Sequence, residues 1–440
     1  MGKQFGLTLL LGLFLLLSIN AQRSSLTFKQ VDSISYALFL KQDWKQLIKF
    51  SKRSRAEGID FYYLKVRTGI GYFKKDQMLL AIKYLEQAHN LNAFDVVVQE
   101  YLYWAYRYAG FLLESDMFYN KMSKDLQNKI QHKLKFLSAI DVGVVSNSNL
   151  DSDKEFLNNS QTGLLYLPED FQMYTLGLNH RFSNNTNFYH RLTVMQRNSV
   201  AQELINTDLY NTKFNGKETR YYANGTLGLG NRWYLELFFN VISGDFEEII
   251  ENSTGDLADS YYINSGNKIS YSDVVFGTSI SKASYYFSNS INVSYSTLNN
   301  LNQFQLGYNL SFYPLGNTVL IPFVSAQYVN ETGGGLTDSR IVYTGGVSIN
   351  KGKLGVTGFV NAGEIINYIS NNGSIIYNQT AAANSEIGLL LKVYLKKVNL
   401  KIGYSFMKME DSFFSEDTEI SNSVFKFNQQ NIIGGLTWEI

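Results

Sequence analysis

The chain has 440 residues, with 39 Lys plus Arg against 38 Asp plus Glu, so its net charge is close to zero. That balance excludes a nucleic-acid binder, which needs a concentrated basic face. Zero cysteine excludes a disulfide scaffold, a thiol nucleophile and any Cys-ligated metal. Charged residues are only 18%, while 31 Tyr and 30 Phe bring aromatics to 15%, alongside 34 Gly and 3 Pro. Such a composition describes many strands joined by polar turns.

Met1 to Ala21 carries one early charge, Lys3, then the largely apolar run Leu7–Leu17, then Ser18-Ile19-Asn20-Ala21 ahead of Gln22-Arg23. That order of charged, apolar and small residues predicts a secretory signal cut after Ala21. A membrane anchor would need about 20 apolar residues, and this run is shorter. No Cys follows, so lipid attachment at a new amino-terminal Cys is excluded.

From residue 22 to 133 the apolar residues recur at three- and four-residue steps, which predicts a small helical domain of about three helix pairs. The middle pair carries Gly69, Tyr72, Ala81, Leu85 and Ala88, a spacing that resembles one tetratricopeptide (TPR) repeat, with Ala93 where the closing Pro usually stands. Gly69 sits where a small side chain lets a second helix approach closely. Shifting by one repeat reaches Tyr106, Ser115 and Tyr119, with Tyr103 and Met122 at the other small positions. Stacked repeats offer a concave docking surface for a protein or peptide, and a structural spacer under the following domain is the alternative.

Near Leu134 the period changes from helical to two, and residues 134–440 read as strands. Phe304, Leu306, Tyr308, Leu310 and Phe312 share one face against Gln305, Gly307, Asn309 and Ser311. Trp233–Val241 and Val398–Phe406 alternate in the same way. The strands are long, as tilted membrane strands must be, and their connections alternate short and long. Short ones are placed at Ser183–Thr186, Gly230-Asn231, Ser281-Lys282, Pro314–Asn317, Lys351–Lys353 and Lys396-Lys397. Outer ones include Asn147–Glu169, Ala201–Gly216, Asp245–Asn267, the short Leu298–Leu301 and Asn367–Thr380. Six short and seven outer connections require 14 strands. Tyr174, Phe182, Tyr285, Tyr295, Phe304, Phe312 and Trp438 near strand ends suit the two membrane interfaces.

The predicted fold is therefore mainly β: a transmembrane antiparallel barrel of about 14 strands, preceded by a small all-α TPR-like domain in the periplasm. An even strand count puts both barrel ends on the periplasmic side. With apolar faces toward lipid, Asp141, Arg191, Arg197, Arg220, Glu236, Lys392, Lys401 and Glu439 face the lumen. Arg191, Arg197 and Arg220 form a basic ladder favouring anions, or pair with Glu236 and Asp141 for rigidity. An outer loop that folds in to constrict the pore is expected at Asn147–Glu169 or Asp245–Asn267.

Catalytic constellations are poor, and the chain reads as no enzyme, with no cofactor and no metal. His180 and His190 flank the Ser183–Thr186 turn and point outward near the periplasmic interface. Gly277-Thr-Ser-Ile-Ser281 fails the nucleophile-elbow pattern at its last position. Asp151-Ser-Asp153-Lys-Glu155 has the alternation of a Ca²⁺ loop but lacks its Gly, which leaves a solvated acidic loop. Asn215-Gly216, Asn224-Gly225 and Asn372-Gly373 read as turns or bulges.

Signal, helical repeat and carboxy-terminal barrel together resemble Gram-negative outer-membrane TPR–barrel proteins, which include exopolysaccharide exporters and the surface lipoprotein assembly modulators (Slam proteins). The strand Ala139–Leu150, with Ser146, Asn147 and Asn149, is similar to the start of the modulators' barrel. The final strand, with Leu436, Trp438 and Ile440 on one face, resembles the signal read by barrel-insertion machinery. The resemblance implies a translocation component whose periplasmic helices engage a protein or polysaccharide client that the barrel passes or delivers. A solute-selective porin and a non-conducting anchor for a periplasmic partner are the alternatives.

Overall fold

The computed structural model describes residues 26–154, 163–205, 208–249, 268–333, 336–379, 381–412 and 424–440. The predicted signal segment, 1–21, lies outside them. The chain divides into two compact units, Met1–Ala105 and Tyr106–Ile440.

The first unit is helical: α1 (Phe28–Leu40), α2 (Trp44–Ala56), α3 (Tyr62–Lys74), α4 (Met78–Leu91) and most of α5 (Val96–Tyr108). Thr27 and Gln30 cap α1 reciprocally, and the Asp43 carboxylate accepts from the Gln46 N–H to open α2. The repeat-like residues all lie in the α3–α4 pair. Ala81, Leu85 and Ala88 are each 0% exposed, and Tyr72 stacks on Tyr84 with ring centroids 5.3 Å apart. A Cβ on Gly69 would stand 2.7 Å from the Leu85 Cγ, so glycine sets the distance between the two helices. Gly69→Ala improves helix propensity by about 1 kcal/mol, but overpacking a closed contact costs about 1–3 kcal/mol. The clash wins because Leu85 has nowhere to retreat. The expected result is a lower melting temperature for the helical signal in circular dichroism of the full chain; an unchanged or raised one would refute the packing account.

The second unit opens with two short helices, α6 (Leu112–Tyr119) and α7 (Lys124–Ile130), making seven helices among the described residues. The α7 helix stops at Gln131, whose φ of 50° is left-handed. The barrel strands follow. They are β1 (Leu137–Asn149), β2 (Gly163–Ser183), β3 (Thr186–Ile205), β4 (Asp208–Gly230) and β5 (Trp233–Ile249). Next come β6 (Ile269–Ala283), β7 (Phe287–Ser296), β8 (Asn302–Phe312), β9 (Leu320–Gly333), β10 (Leu336–Lys351) and β11 (Leu354–Ile365). A small hairpin, β12 (Tyr368–Ser370) and β13 (Ile375–Tyr377), precedes β14 (Ala382–Tyr394), β15 (Val398–Ser412) and β16 (Val424–Glu439). All but the small hairpin close into one barrel of 14 strands, each antiparallel to its neighbours, with β16 pairing back onto β1.

Closure leaves no edge, so the ladder pairs the backbone polar groups even where no water reaches. Leu237 is 60% and Ile402 63% exposed on the outside, whereas Gln303, Gln305 and Asn240 are buried on the inside. Apolar outside with polar inside is the reverse of a soluble protein and is what a lipid-facing wall requires. The protein is a transmembrane β-barrel.

The connections correct the sequence reading at four places. The turn predicted at Ser281-Lys282 lies inside β6, and the chain reverses at Ser284 instead, whose N–H donates to the Phe287 carbonyl at 2.7 Å. Residues 201–205 and 208–216 are strand rather than long loop, because β3 and β4 stay paired out to Ile205↔Asp208. Cross-strand hydrogen bonding does not stop where lipid stops. Asn215-Gly216 and Asn224-Gly225 are likewise interior to β4; a Cβ on Gly216 would meet Phe246 and Arg197 side chains, so this glycine makes room rather than a turn. The first outer connection is shorter than Asn147–Glu169, since β1 runs to Asn149 and β2 starts at Gly163.

Candidate functional site

The β11–β14 connection turns inward and becomes the centre of the lumen. Its two three-residue strands pair Tyr368↔Tyr377, Ile369↔Ile376 and Ser370↔Ile375. Asn371, Asn372 and Gly373 form the reversal, with φ of 50°, 50° and 80°, a left-handed run that Asn and Gly tolerate best. A Cβ on Gly373 would also stand 2.6 Å from the Phe238 ring, so both conformation and space demand glycine here. Asn372-Gly373 is thus a true turn. The sequence reading placed Asn367–Thr380 among the outer loops and expected Asn147–Glu169 or Asp245–Asn267 to fold in; the segment that does so is this one. Residues 155–162 and 250–267 of those two lie outside the described residues.

Around the ring of 14 strands, β4 and β5 lie opposite the root of the hairpin between β11 and β14. The hairpin reaches them. The Tyr222 hydroxyl donates to the Asn372 carbonyl at 2.9 Å, Asn240 Nδ2 to the Gly373 carbonyl at 3.3 Å, and Asn372 Nδ2 to Glu236 at 3.0 Å. Arg220 donates to the Ile376 carbonyl at 3.2 Å and to Asn378 Oδ1 at 2.7 Å, and Arg191 donates to the Ser374 carbonyl. From β8, Gln305 accepts from the Ile369 N–H at 3.2 Å and donates to its carbonyl. On the near wall the Tyr377 hydroxyl donates to Glu386 at 2.8 Å. The hairpin therefore spans the full width of the lumen.

Apolar contacts lock it further. Ile369 and Ile376 pack with Tyr222, Phe238, Ile242, Val275 and Leu298. Tyr368 belongs to a second cluster with Leu165, Leu167, Met407, Met409, Phe425 and Phe427. These last residues sit in the portions of β2, β15 and β16 remote from the ends at Leu137 and Glu439, so Tyr368 brings apolar packing to that end of the lumen. Beside the hairpin a cavity of about 810 Å³ remains, walled by Arg191, Arg197, Arg220 and Lys401 together with apolar groups such as Met195 and Phe359.

The charged lumen candidates are thus sorted by what they touch. Arg197 and Arg220 both pair with Glu218, whose side chain is 0% exposed and also receives the Tyr271 hydroxyl. Neither pairs with Glu236 or Asp141, the partners expected from sequence. Glu236 is held by Asn224 at 3.2 Å and by Asn372, and Asp141 accepts from the Tyr189 hydroxyl at 3.1 Å. Lys392 and Lys401 stand directly opposite one another on β14 and β15. Glu439 lies at the terminal rim, accepting from Asn399 Nδ2 at 3.0 Å. Sequence reasoning missed Glu218 and the buried Arg340–Glu331 pair at 2.8 Å. Glu218 was findable: it lies two residues before Arg220 on one strand and so shares its face.

At the termini end α6 is fastened to the barrel turns. Arg181 donates to Asp116 and the Tyr234 hydroxyl to Glu114. Burial pushes the Asp116 carboxyl up, but His132, Arg181 and Arg107 around it outweigh that and hold it below its ordinary value. Glu114 is raised by burial. On the lipid-facing side His180 and His190 meet as expected, Nε2 to Nε2 at 3.2 Å, amid Phe136, Phe182 and Phe188. Asp151 is taken up structurally: it accepts from the Asn428 N–H at 2.8 Å and from Lys154 at 2.7 Å.

No family model matches the sequence, and no curated protein matches it. Among solved structures, the chain is similar to the translocator domain of the autotransporter NalP from Neisseria meningitidis, at 12% identity over 75% of this chain and 98% of that one, with a TM-score of 0.32. A Pseudomonas aeruginosa FadL homologue matches at 9% identity over 69% of this chain and 90% of its own, TM-score 0.40. The Pseudomonas putida toluene transporter TodX matches at 7% identity over 69% and 90%, TM-score 0.42.

Proposed function

We propose that the protein is a gated outer-membrane translocation component. In this reading the β12–β13 hairpin is the gate, the lumen is the path, and the amino-terminal helices stand in the periplasm and engage the client. The observation that carries it is the hairpin itself. Its tethers are polar side chains on opposite walls, each able to exchange a carbonyl for water, and the lumen around it is polar enough to be wetted once it moves. A solute-selective porin keeps a passage past its constricting loop, whereas this hairpin is tied to opposite walls of the lumen. A pure anchor, built for rigidity alone, has no use for a cavity of about 810 Å³ beside it.

The repeat-like α3–α4 pair and the Ser146–Asn149 stretch support placing the chain near the lipoprotein assembly modulators or the polysaccharide exporters, with a protein or polysaccharide as client. Planar-bilayer recording of the full chain tests the gate. The expected trace is a quiet baseline with rare, brief openings; steady large current from the unmodified protein would return it to the porins.

A further inference from the structure

One row of the barrel ladder has an unusual composition. From β14 to β3 it reads Lys392, Lys401, Gly435, Gly143, Thr175 and Thr193, each residue opposite the next. Two lysines directly across a ladder repel one another, an arrangement sheets avoid. Thr193 in turn stands opposite Arg220, and one row away Arg191 is joined to Asp141 through Gly177. Lys401 feels the positive charges of Lys392 and Arg191 against the single negative charge of Asp141.

The other carboxylates near this wall are engaged elsewhere, and buried Asp273, which has one unpartnered oxygen, lies on β6 across the ring from β14 and β15. Glu218 serves Arg197 and Arg220, Glu331 serves Arg340, Glu386 accepts from Asn361 and Tyr377, and Glu236 accepts from Asn224 and Asn372. Asp141 is shared with the Tyr189 hydroxyl. Neither Lys392 nor Lys401 has an ion-pair partner among the described residues. Between the cations the row is small and uncharged. Gly143 leaves no room for more, since a Cβ there would stand 2.7 Å from the Thr175 Oγ1. Gly143, Thr175, Thr193, Arg191 and Lys401 all face the cavity beside the hairpin.

We propose that this wall is an anion-binding site for phosphate or carboxylate groups. Lys392, Lys401 and Arg191 supply charge, Thr175 and Thr193 supply hydroxyl donors, and the glycines let an extended ligand lie against the strands. An anion at Lys392–Lys401 converts the repulsive pair into a clamp. The site rests on the translocation reading only in making the anion part of the cargo; its occupancy is tested without any conduction.

The full chain in detergent micelles is titrated calorimetrically with inorganic tripolyphosphate and, separately, with citrate, which distinguishes the two anion sources by their relative affinity. The expected result is saturable binding of at least one, weakened at least about ten-fold in Lys392→Gln/Lys401→Gln, in line with losing two charge-assisted contacts. Lys401→Arg, which keeps the cation, retains the wild-type affinity, and Lys353→Gln in the β10–β11 turn changes nothing. Heat-modifiable migration on gels verifies the closed barrel in each variant. Absence of saturable binding by the wild type, or a smaller loss in the double variant, overturns the site and leaves the gate proposal standing.

Discussion

Replacing residues 366–380 by a short Gly-Ser link is expected to turn a quiet barrel into one that conducts steadily, with mean current rising at least about ten-fold, because a bore of more than eight strands is too wide for its own side chains to fill. The hairpin closes the lumen through two kinds of contact, and both leave with it. Its backbone carbonyls at Ile369, Asn372, Gly373, Ser374 and Ile376 each accept a side-chain donor from the wall. At about 1 kcal/mol net per such bond, release of the whole set costs several kcal/mol. An opening cost of that size leaves the open state populated well below one part in a hundred, which is why the unmodified protein should flicker rather than leak. The apolar cluster at the far end also loses Tyr368, one of its largest buried members. The wall itself should survive, since Arg191, Arg220 and Glu236 are left facing lumen water instead of an apolar interior, and the strand ladder does not depend on the hairpin. Silence in the shortened variant would remove the gate and leave the anchor reading.

What could be read from the residues follows from which interactions are local. Period-two alternation such as Phe304–Phe312 decides the lipid face of each strand without reference to its neighbours, and summing such strands gave the barrel and its 14 members. The Gly69 approach was legible for the same reason, since helix spacing fixes what faces Leu85. Long-range choices were hidden. Nothing in Asn367–Thr380 distinguishes a loop that hangs in water from one that enters a bore; its Asn, Ser and Gly suit both. What selects the bore is a set of donors on β3, β4, β5 and β8, far away in sequence. Glu218 shares the inward face of Arg220 two residues away on β4, but that it also serves Arg197 depends on how β3 and β4 pair, which no local pattern states. Tight turns suffered least where geometry demands a particular residue, as at Gly230 with φ of 86°, and most at Ser281-Lys282, where polarity alone suggested a reversal.

Glu218→Gln is expected to be the most damaging single substitution in the barrel wall. The carboxylate is the shared counter-ion of Arg197 and Arg220, accepts from the Tyr271 hydroxyl, and accepts from Asn378 Nδ2 at 3.0 Å at the foot of the hairpin. Gln keeps the shape and one acceptor but removes the charge, so two guanidinium groups are left close together with nothing between them. Removing one partner of a buried ion pair typically costs about 3–5 kcal/mol, and here one removal strands two cations. Urea unfolding of the lipid-reconstituted barrel should therefore show a lower midpoint by an amount in that range. The same change should act on the gate, because Arg220 both pairs with Glu218 and holds the Ile376 carbonyl and Asn378. Freed from its carboxylate, Arg220 is pushed away from Arg197, and its hold on the hairpin loosens; openings in bilayer recordings should become more frequent. Adding Arg197→Met to Glu218→Gln separates the two effects. Taking away one of the stranded cations should restore a large part of the lost stability, giving a coupling energy of about 1–3 kcal/mol in a double-mutant cycle. Strict additivity of the two substitutions would mean that the cluster is solvated from the lumen and that its charges do not hold the gate.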